Sequence, residues 1–223
     1  DGTGKLFAPL IDALPSFAEP RIVSYPNQPV KSYDELLEFV QNANPINDPF
    51  VLVAESFSGP LAIKFAAANT DKVDALILCA TFVENPLPKL TVWLKGLVRP
   101  LLFRFTPPGF LLRYFLLEKN CPEALVDQLS DILKLLRPEV IASRIRLVLS
   151  ADEKESLKAC RLPILYLSAR RDRLVSSRSA KTILSLNCRA KRVEIDAPHL
   201  LFQSKPEEAA NVITRFLQNE LHG

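Results

Sequence analysis

Apolar runs and amphipathic segments alternate along both ends of the chain. Short strand-like runs predict strands, and the two that are apolar on both faces, PFVLVAE and VDALILCA, predict buried parallel ones. Apolar residues spaced three and four apart predict helices. The predicted strands are PRIVSY (20–25), PFVLVAE (49–55), VDALILCA (73–80), LPILYLSA (162–169) and AKRVEID (190–196). The predicted helices are KLFAPLIDAL (5–14), SYDELLEFVQNA (32–43), GPLAIKFAAAN (59–69), SSRSAKTILSL (176–186) and KPEEAANVITRFLQNEL (205–221). This alternation predicts an α/β fold in which helices cover both faces of a mostly parallel sheet.

The segment 84–150 interrupts that alternation. It is rich in proline, has a helical period and contains no convincing strand. A helical insertion between two strands of the sheet is the simplest interpretation. We therefore predict a core made of residues 1–83 and 151–223, with residues 84–150 as a helical cap.

The composition argues against several classes of partner. Of 223 residues, 48% are hydrophobic and 24% charged, which is typical of a soluble globular protein. The net charge of +3 is small and the basic residues are scattered, so we expect no nucleic-acid partner. The most apolar region (87–117) is interrupted by Lys and Arg, so we expect no stable membrane insertion.

The start of the chain leaves its cellular location open. We expect a cytoplasmic protein, because the sequence shows no signal peptide. However, the chain begins abruptly at DGTG and contains no methionine, which suggests a fragment and leaves open whether a targeting peptide precedes it.

Cysteine and histidine usage argues against a metal site. The four cysteines (Cys79, Cys121, Cys160, Cys188) form no C-x-x-C pair, and the chain has only two histidines. We therefore predict no metal and no organic cofactor, and interpret the cysteines as buried or half-buried thiols.

A serine stands where the second predicted strand turns into a helix, in VLVAESFSGPLA (51–62). Such a turn raises Ser56 above the carboxyl edge of the sheet, and the small Ala54 and Ser58 allow the tight backbone. Gly59 would let the helix approach the sheet closely. This is a relaxed form of the G-x-S-x-G nucleophile elbow. From this stretch alone, a simple helix N-cap is an equally good interpretation of Ser56.

Two further residues follow later strands at the same edge of the predicted sheet. Asp172 lies in the loop after LPILYLSA, and His199 lies in the loop after AKRVEID. A serine nucleophile needs a base and a carboxylate that orients the base, and both candidates occur in the required order. His222 competes only weakly, because it lies one residue from the end of the sequence.

Four stretches, in order, resemble the α/β-hydrolase superfamily of lipases, esterases and thioesterases: DGTG, VAESFSGPLA, ARRDRLV and APHLLFQ. The resemblance covers essentially the whole chain. It implies that Ser56 is the nucleophile, His199 the general base and acid, and Asp172 its orienting carboxylate. It also implies that Thr3 and Phe57 supply the backbone N–H groups of the oxyanion hole.

The chain departs from the superfamily pattern at two places. Asp1 stands where many relatives carry histidine, and the elbow lacks its two flanking glycines. Glu84, after the third predicted strand, occupies a position that some relatives use for the triad acid, so it competes with Asp172.

The resemblance also implies a missing strand. In the superfamily the oxyanion loop follows a central strand, and here nothing precedes Asp1. We therefore expect PRIVSY and PFVLVAE to lack the strand that would lie between them.

The resulting functional prediction is hydrolysis of a small-molecule carboxylic ester through an acyl-enzyme intermediate, with an apolar acyl group. A thioesterase or an acyltransferase with the same triad is one alternative, and a non-catalytic binder of a small hydrophobic ligand is another. The many Leu and Phe residues of the cap either line an acyl pocket or pack among themselves and on the sheet. Its Lys and Arg residues either face solvent or meet an anionic lipid surface.

Overall fold

Four parallel strands form one sheet in the order β1-β2-β3-β4. The computed structural model describes residues 2–43, 48–87 and 95–221. The strands are β1 (Phe50–Glu55), β2 (Val73–Cys79), β3 (Ile164–Ala169) and β4 (Ala190–Ile195). Four of the five predicted strands are thereby confirmed.

Helices cover both faces of this sheet, as predicted. Their bounds are α1 (Ala8–Ala13), α2 (Tyr33–Ala43), α3 (Ser58–Ala68), α4 (Gly109–Phe115), α5 (Glu123–Leu135), α6 (Pro138–Leu149), α7 (Lys154–Ala159), α8 (Ser177–Leu186), α9 (Leu201–Ser204) and α10 (Pro206–Leu221). Single 3₁₀ turns occur at Lys5–Phe7 and Pro100–Phe103. Ser32 accepts a hydrogen bond from the Glu35 N–H at 3.1 Å, as expected for the residue that caps α2.

The two faces of β2 belong to different hydrophobic clusters, because successive side chains of a strand point to opposite sides. Ile77 packs with residues of α1, α9 and α10, including Phe202 and Phe216. Leu76 packs on the other face with residues of α3, α7 and α8, such as Ile63. A strand apolar on both faces is thus buried on both, which explains its continuous apolar sequence.

The segment 20–25 is not a strand, so the prediction for PRIVSY is wrong. Among the described residues, no strand lies beside it to form a ladder. Its backbone is instead joined to the first turn of the chain, where the Tyr25 N–H donates to the Gly2 carbonyl at 2.7 Å. β1 pairs only with β2 within the part of the chain that the structure describes. That a strand missing from this sequence would lie between the two segments stays a prediction.

Between β2 and β3 the described chain is helical. The segment 95–150 contains α4, α5, α6 and the second 3₁₀ turn, and shows no strand in its described residues. Glu84 and Asp152 form an isolated bridge where the segment leaves and rejoins the sheet. That residues 84–150 act as a cap stays a prediction. Within the described residues, no helix combines the length and apolar character needed to cross a membrane.

The register of the sheet aligns the carboxyl ends of the strands. Glu55 pairs with Cys79, and Ala169 pairs with Ile195. The loops that follow β1, β3 and β4 therefore begin along one edge, which is the edge that carries the candidate site.

Candidate active site

Ser56 occupies a strained turn between β1 and α3. Its φ of 54° lies in the left-handed region that non-glycine residues rarely adopt. The Ser56 N–H donates to the Cys79 carbonyl at 2.9 Å, and the Thr81 hydroxyl donates to the Ser56 carbonyl. Both backbone polar groups of the strained residue are thus held by the chain that follows β2.

Gly59 allows the close approach that the sequence predicted for it. A Cβ atom built on Gly59 would lie 1.9 Å from Oγ1 of Thr81 and 2.6 Å from its Cγ2. No side chain fits in that space. Since Thr81 also holds the Ser56 carbonyl, the glycine permits the contact that fixes the turn.

Two tyrosines support the outer side of the elbow. The Tyr25 hydroxyl donates to Oγ of Ser58 at 2.8 Å, and the Tyr33 hydroxyl donates to the Phe57 carbonyl at 3.2 Å. Both rings also pack against the Phe57 ring. Burial raises the pKa of both tyrosines, so their hydroxyls stay protonated and act as donors. Neither tyrosine was expected at the site from the sequence.

His199 lies beside the serine hydroxyl. It follows β4, and its Nε2 lies 2.8 Å from Oγ of Ser56 although the two residues are 143 positions apart. The side chain is 3% exposed. The next residue, Leu200, donates its N–H to the Leu116 carbonyl at 3.0 Å, which joins the histidine loop to the helical segment.

Asp172 lies on the other side of the imidazole ring. Its Oδ2 is 2.8 Å from Nδ1 of His199. Its Oδ1 accepts the N–H groups of Leu174 at 2.8 Å and Val175 at 2.9 Å. Both carboxylate oxygens are therefore occupied, and the carboxylate cannot rotate without losing hydrogen bonds.

Glu84, the competing candidate for the acid, pairs with a residue other than His199. Its Oε2 is 3.1 Å from Nζ of Lys154, at the junction between the core and the helical segment. The structure thus brings Asp172, and not Glu84, into contact with His199.

The loops that carry Asp172 and His199 are also joined to each other. The Arg170 N–H donates to the Ile195 carbonyl at 2.9 Å, and the Arg171 N–H donates to the Ala197 carbonyl at 3.0 Å. These main-chain bonds continue the β3–β4 pairing beyond the ends of the strands. They fix the distance between the carboxylate and the imidazole.

Glu55 is a buried carboxylate that the sequence analysis did not assign a role. It immediately precedes Ser56 and is 8% exposed. Its Oε1 accepts the Phe202 N–H at 3.3 Å, and its Oε2 accepts Nε2 of Gln203 at 3.0 Å. Burial raises its pKa, and the hydrogen bond from Gln203 and the proximity of His199 oppose that rise.

The position of Glu55 could have signalled a special role. A charged residue ends a strand that is otherwise apolar, one position before the serine. Burying a carboxylate costs free energy unless donors surround it. Here the donors come from α9, the helix directly after His199, so Glu55 links the serine turn to the histidine loop.

The predicted oxyanion residues lie in two separate turns. Phe57 directly precedes α3, at a helix start where N–H groups have no intrahelical acceptor. Thr3 lies between two glycines of positive φ, Gly2 at 81° and Gly4 at 75°. The Thr3 carbonyl accepts the Ser24 hydroxyl at 3.0 Å, which fixes the turn.

Several sequence predictions about the cap need correction or fall outside the described residues. Large apolar residues expected to line a pocket or pack inward are instead exposed, among them Leu97, Leu101, Leu102, Phe105 and Phe110. Only some, such as Leu112, are buried in a cluster with α5. Their neighbours Val98 and Phe103 are the residues of this stretch that pack against α6. Asp1, Trp93, Leu94 and His222 lie outside the described residues.

The cysteines and acidic residues offer no metal site in the described part of the chain. All four cysteines are unpaired; Cys79 and Cys160 are buried, while Cys188 is exposed. Burial raises the pKa of the Cys79 and Cys160 thiols, so they remain protonated.

Comparison with known proteins identifies the family. The family model described as serine aminopeptidase, S33, matches residues 21–202, which is most of the chain and includes Ser56, Asp172 and His199. The chain belongs to this family of α/β-hydrolases. The resemblance predicted from four short stretches is thereby confirmed.

Among curated proteins, this α/β-hydrolase is similar to pyrrolizixenacetamide deacetylase from Xenorhabdus hominickii. The two are 24% identical over 184 residues, which cover 77% of this chain and 66% of the deacetylase. The match thus spans slightly less than two thirds of the relative's own length.

Solved structures share the fold of this α/β-hydrolase. A thermophilic esterase from Thermogutta terrifontis is 20% identical, with a TM-score of 0.75, and the match covers 97% of this chain and 86% of the esterase. A hydrolase from Oleispira antarctica is 13% identical, with a TM-score of 0.80, and the match covers 97% of this chain and 87% of that protein. At such identities the likeness establishes the fold.

Proposed function

We propose that this α/β-hydrolase removes acyl groups from small-molecule carboxylic esters through an acyl-enzyme intermediate. The observation that carries the proposal is the hydrogen-bonded series Ser56–His199–Asp172, with 2.8 Å at each step. Three distant loops supply the three residues in the order that this family of folds uses. Such a series is the arrangement that activates a serine hydroxyl.

The first half of the reaction acylates the serine. With its proton on Nδ1 and donated to Asp172, the imidazole of His199 presents the lone pair of Nε2 to the hydroxyl. Oγ of Ser56 attacks the carbonyl carbon while its proton moves to Nε2, and the carbonyl oxygen becomes an oxyanion. Collapse of this intermediate breaks the bond to the leaving oxygen, which takes the proton from Nε2.

The second half releases the acid. A water molecule gives a proton to Nε2 of His199 as it attacks the acyl carbon. The bond between that carbon and Oγ then breaks, and the proton returns to Ser56. In both halves Asp172 stabilises the transient imidazolium, and the N–H groups of Phe57 and Thr3 stabilise the oxyanion.

We assign Glu55 a positioning role in this proposal. Its carboxylate accepts two hydrogen bonds from the first turn of α9, which directly follows His199. Because Glu55 is covalently next to Ser56, these bonds fix the serine turn relative to the histidine loop. Glu55 acts through His199 and needs no contact with substrate.

Residues 84–150 would form the cap of this enzyme, above Ser56. Two contacts to the triad loops support this: the Leu200 N–H donates to Leu116, and Arg173 donates to the Tyr114 carbonyl at 2.7 Å. The guanidinium of Arg173 also lies 4.0 Å from the centre of the Tyr114 ring. The helical segment therefore packs on both loops that hold the base and the acid.

The same machinery suits two neighbouring reactions. Thioester hydrolysis and acyl transfer to an alcohol differ only in the leaving group or in the acceptor of the acyl-enzyme. The printed activity of the Xenorhabdus relative, deacetylation, also concerns removal of an acyl group. Esters, thioesters and acetamides therefore belong in one substrate panel.

Labelling with a fluorophosphonate tests the proposal. The full-length protein should become labelled on Ser56, because the probe requires an activated serine, and Ser56→Ala should abolish the label. Ser185→Ala, at an exposed serine of α8, serves as the control and should retain it. Absence of label in the unaltered, folded protein would contradict the proposal and favour the non-catalytic binder. A panel of p-nitrophenyl esters, acyl thioesters and acetamides of graded length would then identify the acyl group and the leaving group.

A further inference from the structure

A group of large apolar side chains projects from the helical segment into solvent. We call it the outer cap surface; its members and exposed fractions are Leu97 (66%), Leu101 (66%), Leu102 (66%), Phe105 (85%) and Phe110 (68%). The neighbouring Val98 and Phe103 face inward and pack with α6. The outward residues are thus the opposite side of a segment that is already anchored.

The two parts of the outer cap surface lie close together. Leu97 to Phe105 surround the 3₁₀ turn Pro100–Phe103, and Phe110 begins the exposed side of α4. Phe110 lies five positions after Phe105, so their backbones lie within roughly 17 Å even if the chain is fully extended. Further exposed residues of α4, Leu111, Tyr114 and Phe115, extend the surface.

The charge of this segment has one sign. Residues 95–117 contain four basic residues and no aspartate or glutamate. Arg113 is paired with Glu123, whereas Lys95, Arg99 and Arg104 are exposed and form no ion pair within the described residues. Three cationic side chains therefore lie among the exposed apolar side chains, and residues 95–117 contain no carboxylate that could neutralise them.

The outer cap surface borders the candidate active site. α4, which carries Phe110 and Tyr114, receives the hydrogen bond from Arg173, one residue after Asp172. The residue after α4, Leu116, accepts the hydrogen bond from Leu200, one residue after His199. A partner on this surface would therefore lie next to the loops of the triad.

We propose that the outer cap surface docks the protein onto a lipid surface that carries anionic headgroups. An exposed apolar patch of this kind marks an interaction surface. Unpaired cations mixed with leucine and phenylalanine, without acidic residues, match a bilayer in which headgroups are anionic and the acyl boundary is apolar. Protein–protein interfaces are depleted of charged residues at their apolar core, whereas here cations stand among the apolar side chains, so the lipid surface fits better.

The inference goes beyond the proposed function and does not depend on it. The protein would lie on the membrane through the exposed side chains of the outer cap surface. Docking would bring the mouth of the site to the bilayer surface, where esters with long apolar groups reside.

Vesicle sedimentation with the full-length Ser56→Ala protein separates binding from catalysis. Vesicles of phosphatidylcholine with 30% phosphatidylglycerol should bind the protein, and pure phosphatidylcholine vesicles should bind it far less. Replacing Arg99 and Arg104 by glutamine should lower the partition coefficient about fivefold for each cation removed. Raising the salt concentration should lower it further.

Apolar and basic control variants are available on other surfaces. The triple change Leu101→Ser, Leu102→Ser and Phe105→Ser should abolish vesicle binding, whereas Phe17→Ser, at a residue 78% exposed elsewhere, should not. Lys181→Gln with Lys205→Gln is the matched charge control. Circular dichroism and thermal melting should show all variants folded, because every altered side chain is exposed.

Two results would overturn the proposal. One is equal binding of the unaltered and triple-serine proteins to anionic vesicles. The other is self-association, measured by analytical ultracentrifugation, that the triple-serine change abolishes while vesicle binding is absent; the surface would then join two copies of the chain. Activity towards a soluble short-chain ester should stay unchanged in the triple-serine variant with Ser56 restored.

Discussion

The rim of the sheet and the outer cap surface differ in which side chains they bury and which they expose. At the rim, polar groups are buried and paired: Glu55, Asp172 and His199 each use two side-chain atoms in short contacts. On the outer cap surface, apolar side chains are exposed and cations lack ion pairs within the described residues. The first arrangement fixes geometry, and the second leaves surface free for a partner.

The two regions also differ in how the chain builds them. The rim joins residues that lie far apart in sequence, such as Ser56 and His199, 143 positions apart. Its geometry therefore depends on the whole sheet and on bonds between loops, such as the one from Arg171 to Ala197. The outer cap surface belongs to one short segment packed on α6. Changes at the rim should therefore be costly, and changes on the outer cap surface should be tolerated.

The largest effect is expected from Asp172, the proposed triad acid. Asp172→Asn should lower kcat by about 10⁴-fold, because the amide no longer stabilises the imidazolium or holds the reactive tautomer. Glu84→Gln is the matched control, since Glu84 pairs with Lys154 and not with His199. Steady-state kinetics with a p-nitrophenyl ester measure both. If Glu84→Gln were the damaging change, the assignment of the acid would be wrong.

A smaller but clear effect is expected from the buried carboxylate beside the nucleophile. Glu55→Ala should lower kcat by about 100-fold with little change in KM, because two hydrogen bonds that align the histidine loop are lost. Glu55→Gln keeps one acceptor oxygen and should recover most of that loss.

A buried carboxylate that has no hydrogen bond to the loop of His199 provides the control for Glu55. Glu153 is also 8% exposed and binds Lys64 at 3.2 Å and Ser156 at 2.7 Å. Glu153→Ala should lower the melting temperature and leave kcat unchanged. If Glu55→Ala and Glu153→Ala lowered kcat equally, Glu55 would contribute to stability only and would have no positioning role.

The sequence predicted those parts of the fold that depend on local pattern. Strands β1 to β3 are mostly apolar runs, whereas β4 is a more polar one (AKRVEI). The ends of β1, β3 and β4 place Ser56, Asp172 and His199 at one edge. The prediction of a strand at 20–25 is wrong because a strand needs a neighbouring strand with which to form hydrogen bonds. The sequence pattern of 20–25 alone cannot show whether such a neighbour is present.

Two features could not be predicted without knowledge of tertiary contacts. One is which of two acidic residues contacts His199, and the other is the direction of the apolar side chains in the helical segment. Glu84 and Asp172 both follow strands, and only the Arg170–Ile195 and Arg171–Ala197 bonds bring the second to the histidine loop. The outward direction of Phe105 likewise depends on which neighbours fill the contact with α6. Hydrophobicity alone cannot tell a pocket lining from an exposed patch.

A pair of glycines compares packing in the two regions directly. Gly59→Ala should lower the free energy of unfolding by about 1–3 kcal/mol, since the new Cβ would overlap Thr81. It should also lower kcat, because Thr81 holds the Ser56 carbonyl. Gly96→Ala, with no atom within 4 Å of its added Cβ, should have little effect on either. Urea denaturation and kinetics of both variants provide the measurement. Equal stability of the two would show that Thr81 moves aside freely.

The smallest expected effect is a dependence of stability on pH that originates at Glu55. Its pKa in the folded protein lies above the ordinary value of 4.5, chiefly because burial disfavours the charged form. Between the ordinary and the raised pKa the folded protein holds a proton that the unfolded chain has released, so stability falls as pH rises through this range.

Glu55→Gln carries no charge to bury. Its free energy of unfolding relative to the unaltered protein should therefore increase from pH 4.5 upward and level off above the raised pKa. Urea denaturation at intervals of half a pH unit measures the difference in free energy of unfolding between the two proteins. The contributions of most other titrating groups cancel in this difference. Parallel stability curves would mean that the donors from Phe202 and Gln203 compensate fully for burial.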